Sequence, residues 1–374
     1  MPFQIIRHNI AEVDAECIIN TTSTVPEILG GSDLTIHQYA GEELLRARRE
    51  IGLMDVGDVY MTKGYNLKAK YVIHMAAPTW FDDHAREKLR QCYDKAFALA
   101  DEHHIKSLAF PLVGAGTYRF PQEVALKIVL DAVSDFCMTH TMDLILVVFD
   151  KEAFRLSQRL HNSVQSYIED NFVDDLVRSE YVQAASNLLS PRYARSKESP
   201  RPAKAKKPRF KKYRQGDATV DEAVEFSIAE DFENRETAAS STTFSYSVGK
   251  ELSLDDLLRK KDDTFAEALL DHIDRRGLSD AYVYKKANIS RKLFNKIKLH
   301  PDYQPRKSTC LAFAIALELN LDETIDLLAH AGYTLTHSSK FDIIVEYFIL
   351  QREYNIFEIN AVLFDYDCPL LGSR

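Results

Sequence analysis

Short apolar runs alternate with longer amphipathic stretches over residues 1–170. The short runs are bounded by polar residues, which is typical of buried strands, and the longer stretches repeat with helical spacing. The predicted strands are Phe3–Arg7, Glu16–Asn20, Asp58–Lys63, Lys70–Met75, Ser107–Phe110 and Asp143–Phe149. The predicted helices are Leu34–Ile51, Ala85–His103, Pro121–Thr139 and Lys151–Asp170. This alternation predicts an α/β protein, a three-layer α/β/α sandwich with a mixed sheet.

The rest of the chain divides into a charged segment and a helical region. Residues 190–262 pass from a basic part, 191–214, to acidic and Ser/Thr-rich parts, and such a composition predicts a disordered linker. Residues 263–374 have helical spacing throughout, with Ser290 and Asp322 as predicted N-caps. We therefore predict a first domain at 1–170, a linker at 190–262 and an all-α domain at 263–374.

Composition narrows the class of protein. The chain is 45% hydrophobic and 28% charged, as soluble proteins are, and its net charge of −9 argues against a protein that coats nucleic acid. No apolar run is long enough to span a membrane, and the N-terminus lacks a signal peptide, so we expect a cytoplasmic protein. The five cysteines show no metal-ligand spacing, and no metal site is expected.

Two glycine-containing loops follow predicted strands. The first leads from Asn20 to Gly30–Asp33, where a helix begins, and the second lies within Ser107–Pro121 and contains Gly114 and Gly116. Glycines let backbone N–H groups approach an anion, and a helix N-terminus favours negative charge. Because ligands of such sheets bind beyond the carboxyl ends of strands, the two loops predict a site for a phosphate-bearing ligand. For the second loop alone, a tight strand-to-helix turn is the alternative.

Asp33 and His37 are the candidate reactive side chains. They are four residues apart, so they share one face of the predicted helix. A carboxylate beside an imidazole can activate a water or assist a leaving group. A helix-start charge for Asp33 and a structural role for His37 are the alternatives.

Together, these loops resemble the macrodomain family of ADP-ribose-binding modules. The family pattern includes G-D-I, N-A-A-N, a glycine run followed by V-D and I-H, the strand Y-V-I-H, and the loop S-I-A-F-P-x-I-S-T-G-x-Y-G-F-P. The matching segments are His8–Ile10, Asn20–Ser23, Gly30–His37, Tyr71–Pro78, Ser107–Pro121 and Val148–Asp150. The resemblance covers roughly residues 1–170 and implies the macrodomain fold, ADP-ribose as ligand and no separate cofactor.

The resemblance also assigns residues to parts of the ligand. The adenine end would be formed by Asn9, Ile10 and Phe149, and the distal-ribose end by Asn20 and Ser23. The diphosphate would lie between two loops, with Gly30, Gly31, Ser32 and Asp33 on one side and Val113, Gly114, Ala115, Gly116, Thr117 and Tyr118 on the other. Any hydrolysis of an ADP-ribosyl ester would use Asp33, with His37, as catalytic residues.

The chain departs from the family pattern at several of these positions. Ser23 stands in place of the second Asn of N-A-A-N, which helps to position the distal ribose in hydrolytic members of the MacroD type. Asn9 replaces the Asp of G-D-I, Gly114–Gly116 replaces S-T-G, and Arg119 replaces a glycine. The sequence therefore supports binding of ADP-ribose, or of mono-ADP-ribosylated protein, better than hydrolysis.

The helical region leaves two other functions open. It loosely resembles Cro/C1-type helix-turn-helix domains, in which Ser290–His300 would be the DNA-facing helix. Its candidate DNA contacts are Arg291, Lys292, Asn295, Lys296 and Lys298. With the basic segment 191–214, this gives one hypothesis, a DNA-binding regulator that senses a nucleotide metabolite. Acids outnumber bases from Asp263 onward, and a protein-interaction or dimerisation domain with the lysines on a solvated face is the favoured alternative for the helical region. The alternative is a non-catalytic reader of ADP-ribosylated partners. The whole layout is similar to macrodomain proteins with a helical extension from Gram-positive bacteria.

Overall fold

A six-stranded sheet forms the centre of residues 3–172 in the computed structural model. Its strands are β1 (Gln4–Arg7), β2 (Cys17–Thr22), β3 (Val59–Lys63), β4 (Tyr71–Ala76), β5 (Ser107–Pro111) and β6 (Asp143–Val148). Their spatial order is β1-β6-β5-β2-β4-β3. All neighbouring strands pair in parallel except β3, which is antiparallel to β4. The sheet is therefore mixed, as the sequence predicts.

The structure describes residues 3–113, 118–149, 154, 156–172 and 263–372. The predicted linker at 190–262 and residues 114–117 of the second glycine loop lie outside the described residues. Within the described ranges, no helix combines the length and apolar character needed to cross a membrane. The same ranges contain no group of three or more His, Cys, Asp or Glu side chains placed to hold a metal ion.

Helices cover both faces of the sheet. They are α1 (Ser32–Ala40), α2 (Glu42–Ile51), α3 (Ala85–Glu102), α4 (Gln122–Thr139) and α5 (Gln158–Asn171). Successive residues of a strand point to opposite faces, so Ile19 of β2 joins the core under α3 and α4. Its neighbour Ile18 joins a second core with Ile36 of α1 and Leu44 of α2. A core on each face confirms the predicted three-layer α/β/α sandwich.

Three predicted elements of residues 1–170 differ from the observed ones by more than one residue at an end. The predicted helix Leu34–Ile51 is divided at Gly41, whose φ of 86° lies in the left-handed region that glycine adopts readily. Strand β2 continues past Asn20, because its ladder with β4 extends to the pair Thr22 and Ala76. Helix α5 begins at Gln158, because the Ser157 side chain accepts a hydrogen bond from the Leu160 N–H and caps the helix. The predicted start at Lys151 lies outside the described residues.

The C-terminal region is all helical, as predicted. Its helices are α6 (Phe265–Arg275), α7 (Asp280–Lys286), α8 (Arg291–Leu299), α9 (Lys307–Ala316), α10 (Leu321–His330), α11 (Lys340–Gln351) and α12 (Ile356–Asp365). Ser290 caps α8, which confirms that prediction. The predicted cap Asp322 is wrong, since it lies in the first turn of α10. Asn320 is the N-cap there, in a reciprocal capping box with Glu323.

This helical region packs directly on the first part of the chain. Helix α12 runs beside β1, so that the Phe357 ring lies edge-on to Phe3, with 5.6 Å between centroids. At the other end of β1, the Arg7 guanidinium lies 5.4 Å from the centroid of the Phe364 ring. One hydrophobic core extends through both parts, and together they form one compact unit. The sequence does not predict this shared core, and the domain boundaries remain a prediction.

The basic residues of the predicted DNA-facing helix are exposed on α8. Two of them have partners within the helical region. The Lys298 Nζ lies 2.7 Å from an Asp280 carboxylate oxygen, and the Lys296 Nζ lies 3.8 Å from the centroid of the Tyr303 ring. The helix-turn-helix resemblance and DNA binding remain predictions. The second basic candidate, 191–214, lies outside the described residues.

Candidate functional site

The loops that the sequence singles out lie at one edge of the sheet. Strands β1, β6, β5, β2 and β4 are parallel, so their carboxyl ends lie at the same edge. The predicted site residues at or after these ends are Asn9, Ile10, Phe149, Val113, Tyr118, Asn20, Ser23, Gly30, Gly31, Ser32 and Asp33. Three strand spacings separate β1 from β2, about 14 Å in total, which suits an extended diphosphate ligand.

The predicted adenine end lies after β1 and β6. The Asn9 Oδ1 accepts a hydrogen bond from the Ala11 N–H at 3.1 Å and caps a short 3-10 helix, Ile10–Glu12. One lone pair of that oxygen therefore already has a donor, and Ile10 is buried. By contrast, the Phe149 side chain is 77% exposed. An aromatic ring with an uncovered face is suited to stacking on a base.

Tyr118 joins the two glycine-containing loops. Its hydroxyl donates a hydrogen bond to the Thr22 carbonyl oxygen at 2.9 Å, and its own carbonyl accepts one from the Trp80 N–H at 2.9 Å. Burial raises the pKa of Tyr118, so the hydroxyl stays protonated and remains a donor. Because Thr22 ends β2, this contact brings the start of one loop to the end of the other. The predicted contacts of Gly114, Ala115, Gly116 and Thr117 lie outside the described residues.

The first loop ends in an exposed helix N-terminus. Gly30 and Gly31 are exposed, and among the described residues nothing lies within 4 Å of a Cβ built at either position. Gly31 has a φ of 67° and precedes α1, and the Ser32 hydroxyl lies 3.4 Å from that of Thr21. The free N–H groups at a helix N-terminus favour an anion, so this end of the loop can contact a phosphate group.

The buried Asp33 side chain holds the same loop in place through hydrogen bonds. It is 1% exposed, and its Oδ1 accepts a hydrogen bond from the Asn20 Nδ2 at 2.7 Å. Its Oδ2 accepts one from the Leu29 N–H at 2.6 Å, and the His37 Nε2 lies 3.4 Å from Oδ1. Burial raises the pKa of Asp33, and the two hydrogen bonds oppose that rise. With both oxygens engaged, Asp33 positions the loop, and its catalytic role remains a prediction.

A buried polar cluster lies around Asn20 and two histidines. The His74 Nδ1 lies 3.5 Å from the Asn20 Nδ2, and its Nε2 lies 3.0 Å from the Thr62 Oγ1. Because the Asn20 Nδ2 is a donor, the network assigns the ring proton of His74 to Nε2. The Asn20 Oδ1 and the His37 Nδ1 are buried and have no hydrogen-bond partner among the described residues. Asn20 is thus placed behind the loop, where its side chain supports Asp33.

Two residues of this region are functional candidates that the sequence pattern does not single out. His74 occurs only as part of a motif of the resemblance, although it is fully buried and contacts Asn20. Arg48 is also buried, and its guanidinium donates a hydrogen bond to the Ser23 carbonyl. The signal that can find Arg48 is its spacing, since it lies one helical turn after the apolar Leu44 and therefore on the buried face of α2.

The neutral state of His74 predicts a loss of stability in acid. Burial lowers its pKa from 6.5 to about 3, and the charges of His37 and Arg48 act in the same direction. Between these values the unfolded chain binds a proton that the folded chain does not, so stability falls as the pH drops below 6.5. Between pH 7 and pH 5 we expect the free energy of unfolding of wild type to fall by about 2 kcal/mol more than that of His74→Gln.

Urea unfolding of both proteins at the two pH values measures this difference. His300→Gln is the matched control, because His300 is exposed, and it should follow wild type. An equal loss of stability in wild type and His74→Gln would contradict the assignment of a neutral, buried His74.

Comparisons with known proteins find relatives of the first part of this chain. The family model described as Macro domain matches residues 19–129. A Macro domain-containing protein of Listeria monocytogenes is 34% identical over 175 residues, which cover 44% of this chain and 98% of that protein. An O-acetyl-ADP-ribose deacetylase of Escherichia fergusonii is 34% identical over 164 residues, covering 42% of this chain and 93% of the enzyme. A solved Trypanosoma brucei macrodomain in complex with ADP-ribose is 28% identical, covers 40% of this chain and 65% of its own, and has a TM-score of 0.38.

Proposed function

Because this chain belongs to the macrodomain family, we propose that the loops after β1, β2, β5 and β6 bind ADP-ribose, free or attached to a protein. The observation that carries this proposal is the 2.9 Å hydrogen bond from the Tyr118 hydroxyl to the Thr22 carbonyl. It joins the two glycine-containing loops, so a diphosphate can lie between the helix N-terminus at Gly30–Ser32 and the loop that ends at Tyr118. ADP-ribose is the ligand of this proposal, and no separate cofactor takes part.

Titration calorimetry of the full chain with ADP-ribose tests this function. We expect one site per chain, and weaker binding of ADP because ADP lacks the distal ribose. A chain that gives no heat with ADP-ribose, and no competition between ADP-ribose and ADP, would overturn the proposal.

Phe149→Ala is expected to weaken ADP-ribose binding about tenfold, because a base that stacks on an aromatic ring gains about 1–3 kcal/mol. The melting temperature should not change, since the Phe149 side chain is 77% exposed. Leu299→Ala is the matched control, because Leu299 is 72% exposed on α8 in the helical region and is not among the proposed ligand contacts. The same loss of affinity in both variants, or in neither, would remove Phe149 from the ligand site.

Hydrolysis of an ADP-ribosyl ester is the second candidate function. The observation that favours it is the contact of 3.4 Å between the Asp33 Oδ1 and the His37 Nε2, directly behind the loop that carries Ser23. Asp33 and His37 are the residues for which we propose the catalytic role, and the deacetylase relative supports this reaction class. The assay measures acetate released from O-acetyl-ADP-ribose and ADP-ribose released from a mono-ADP-ribosylated protein. Binding without either product would leave a reader of ADP-ribosylated partners.

The proposal does not include every function considered for the chain. We propose an ADP-ribosylated protein as the partner of this chain. That the protein is cytoplasmic and bacterial remains a prediction from the sequence. DNA binding is not part of the proposal, since the exposed basic residues of α8 are the sole described feature that favours it.

A further inference from the structure

Arg48 is a buried arginine beside the loop that follows β2. It lies near the end of α2 and is 1% exposed. One terminal nitrogen donates a hydrogen bond to the Ser23 carbonyl at 2.8 Å, and the other donates to the Gly52 carbonyl at 2.6 Å. Its Nε donates to the Thr22 hydroxyl at 3.4 Å. All three acceptors are neutral, and within the described part of the chain no carboxylate forms an ion pair with this guanidinium.

Stability alone does not account for a guanidinium at this position. A buried charge without a counter-ion is costly, and a well-packed apolar side chain of similar volume is often as stabilising or more so. Burial lowers the pKa of Arg48, and the charge of Asp33 acts in the opposite direction. What an apolar side chain cannot supply is a rigid planar fork of donors that bridges two carbonyl oxygens.

The hydrogen bonds of Arg48 join two loops at the distal-ribose end of the sheet edge. One loop begins at Ser23 after β2, and the other, between α2 and β3, contains Gly52. A backbone hydrogen bond from the Met54 N–H to the Thr24 carbonyl, at 2.9 Å, joins the same two loops. The loop after β2 is therefore held along its first residues by two contacts, of which Arg48 makes the one at Ser23.

Thr22 is held from two directions. Its hydroxyl accepts the hydrogen bond from Arg48, and its carbonyl accepts the one from Tyr118. The residue at which β2 ends is therefore tied to α2 on one side and to the second glycine-containing loop on the other. A substitution at Arg48 is therefore expected to change the direction in which the chain leaves β2, and with it the position of Ser23.

We propose that Arg48 is a positioning residue that fixes the start of the loop after β2 for the distal ribose of bound ADP-ribose. The inference rests on the proposed function, because Ser23 is the residue assigned to the distal-ribose end. The other parts of the ligand are assigned elsewhere along the edge, adenine to Phe149 and the diphosphate to Gly30–Ser32. Arg48 should therefore matter for ligands that contain the distal ribose and much less for ligands that lack it.

Arg48→Lys tests this inference, since lysine keeps the positive charge and the apolar stem but has no planar fork. We expect the variant to bind ADP-ribose about tenfold more weakly than wild type, and to bind ADP within about twofold of wild type. Arg49→Lys is the matched control, because Arg49 is the adjacent exposed arginine of α2, and its affinities should not change. Thermal unfolding identifies whether each variant is folded at the temperature of the titration. Equal weakening for both nucleotides would indicate a general loss of structure and would overturn the inference, as would unchanged ADP-ribose affinity.

A second measurement uses the wild-type chain and does not depend on the folding of a variant. In protein labelled with ¹⁵N in arginine, the Nε–H signal of Arg48 should shift when ADP-ribose saturates the site and shift less with ADP. A signal that ADP-ribose does not move would overturn the inference. Wild-type protein that binds neither nucleotide would overturn the proposed function and this inference together. If wild-type protein binds ADP-ribose and Arg48→Lys binds it with the same affinity, the inference would be overturned and the proposed function would stand.

Discussion

Replacing Asn288 by glycine is expected to lower the free energy of unfolding by about 2–5 kcal/mol and to loosen β1. The Asn288 side chain is buried, its Oδ1 accepts a hydrogen bond from the Phe3 N–H at 2.6 Å, and its Nδ2 donates to the Phe3 carbonyl at 2.9 Å. Phe3 directly precedes β1, an edge strand, and the amide takes the place of a neighbouring strand. Glycine is the suitable replacement because Asn288 has a φ of 55°, where alanine adds strain.

Urea unfolding measures the stability of Asn288→Gly, and hydrogen exchange of a peptide that covers residues 3–7 reports on β1. Asn360 is the matched control, because its side chain bonds the N–H and the carbonyl of Leu371, at 2.7 and 3.0 Å, wholly within the helical region. Asn360→Ala should lose comparable stability without faster exchange in β1. Faster exchange of β1 in both variants would show that Asn288 has no specific role at this edge.

The fold class was predictable because its elements have strong local patterns. Asp143–Phe149 is almost wholly apolar, as a strand covered on both faces is, and β6 occupies Asp143–Val148. Ala85–His103 has a long amphipathic pattern, and α3 covers Ala85–Glu102. Boundaries were wrong where a single backbone feature decides them. The break at Gly41 is an example, since nothing in the apolar spacing around it indicates a left-handed φ.

Contacts between residues far apart in the sequence were not predictable in this way. Asn288 and Phe3 are 285 residues apart, and neither lies in a pattern that indicates the other. Arg48 is surrounded by other charged residues of α2, and its burial depends on the carbonyls that two separate loops present to it. For Asp33, the sequence places a carboxylate at the start of a helix. That both of its oxygens are engaged follows only from the packing of Asn20 and Leu29 around it.

Asp33→Ala is expected to weaken ADP-ribose binding about tenfold or more and to lower the free energy of unfolding by about 3 kcal/mol. The alanine leaves the Leu29 N–H and the Asn20 Nδ2 without their acceptor, and the loop from Ser23 to Gly31 loses its anchor. Titration calorimetry and urea unfolding measure the two effects. Unchanged affinity in a folded Asp33→Ala would contradict the positioning role of the carboxylate.

Asp33→Asn separates the anchoring of the loop from the charge of the carboxylate. The oxygen of the new amide can still accept from the Leu29 N–H, and its NH₂ group can donate to the Asn20 Oδ1, which has no partner among the described residues. A half-turn of the Asn20 amide completes this exchange. The Asn20 oxygen then faces the His74 Nδ1, so the His74 ring proton moves to Nδ1 and the Thr62 hydroxyl donates to Nε2. We therefore expect Asp33→Asn to bind ADP-ribose within about threefold of wild type.

The same variant tests the second candidate function, because it removes the carboxylate charge beside His37. If Asp33 takes part in hydrolysis as proposed, Asp33→Asn binds ADP-ribose but does not release acetate from O-acetyl-ADP-ribose. Turnover that survives in Asp33→Asn would remove the carboxylate from the reaction and leave Asp33 as the anchor of the loop. Loss of binding in Asp33→Asn as large as in Asp33→Ala would show that the charge, rather than the hydrogen bonds, holds the loop in place.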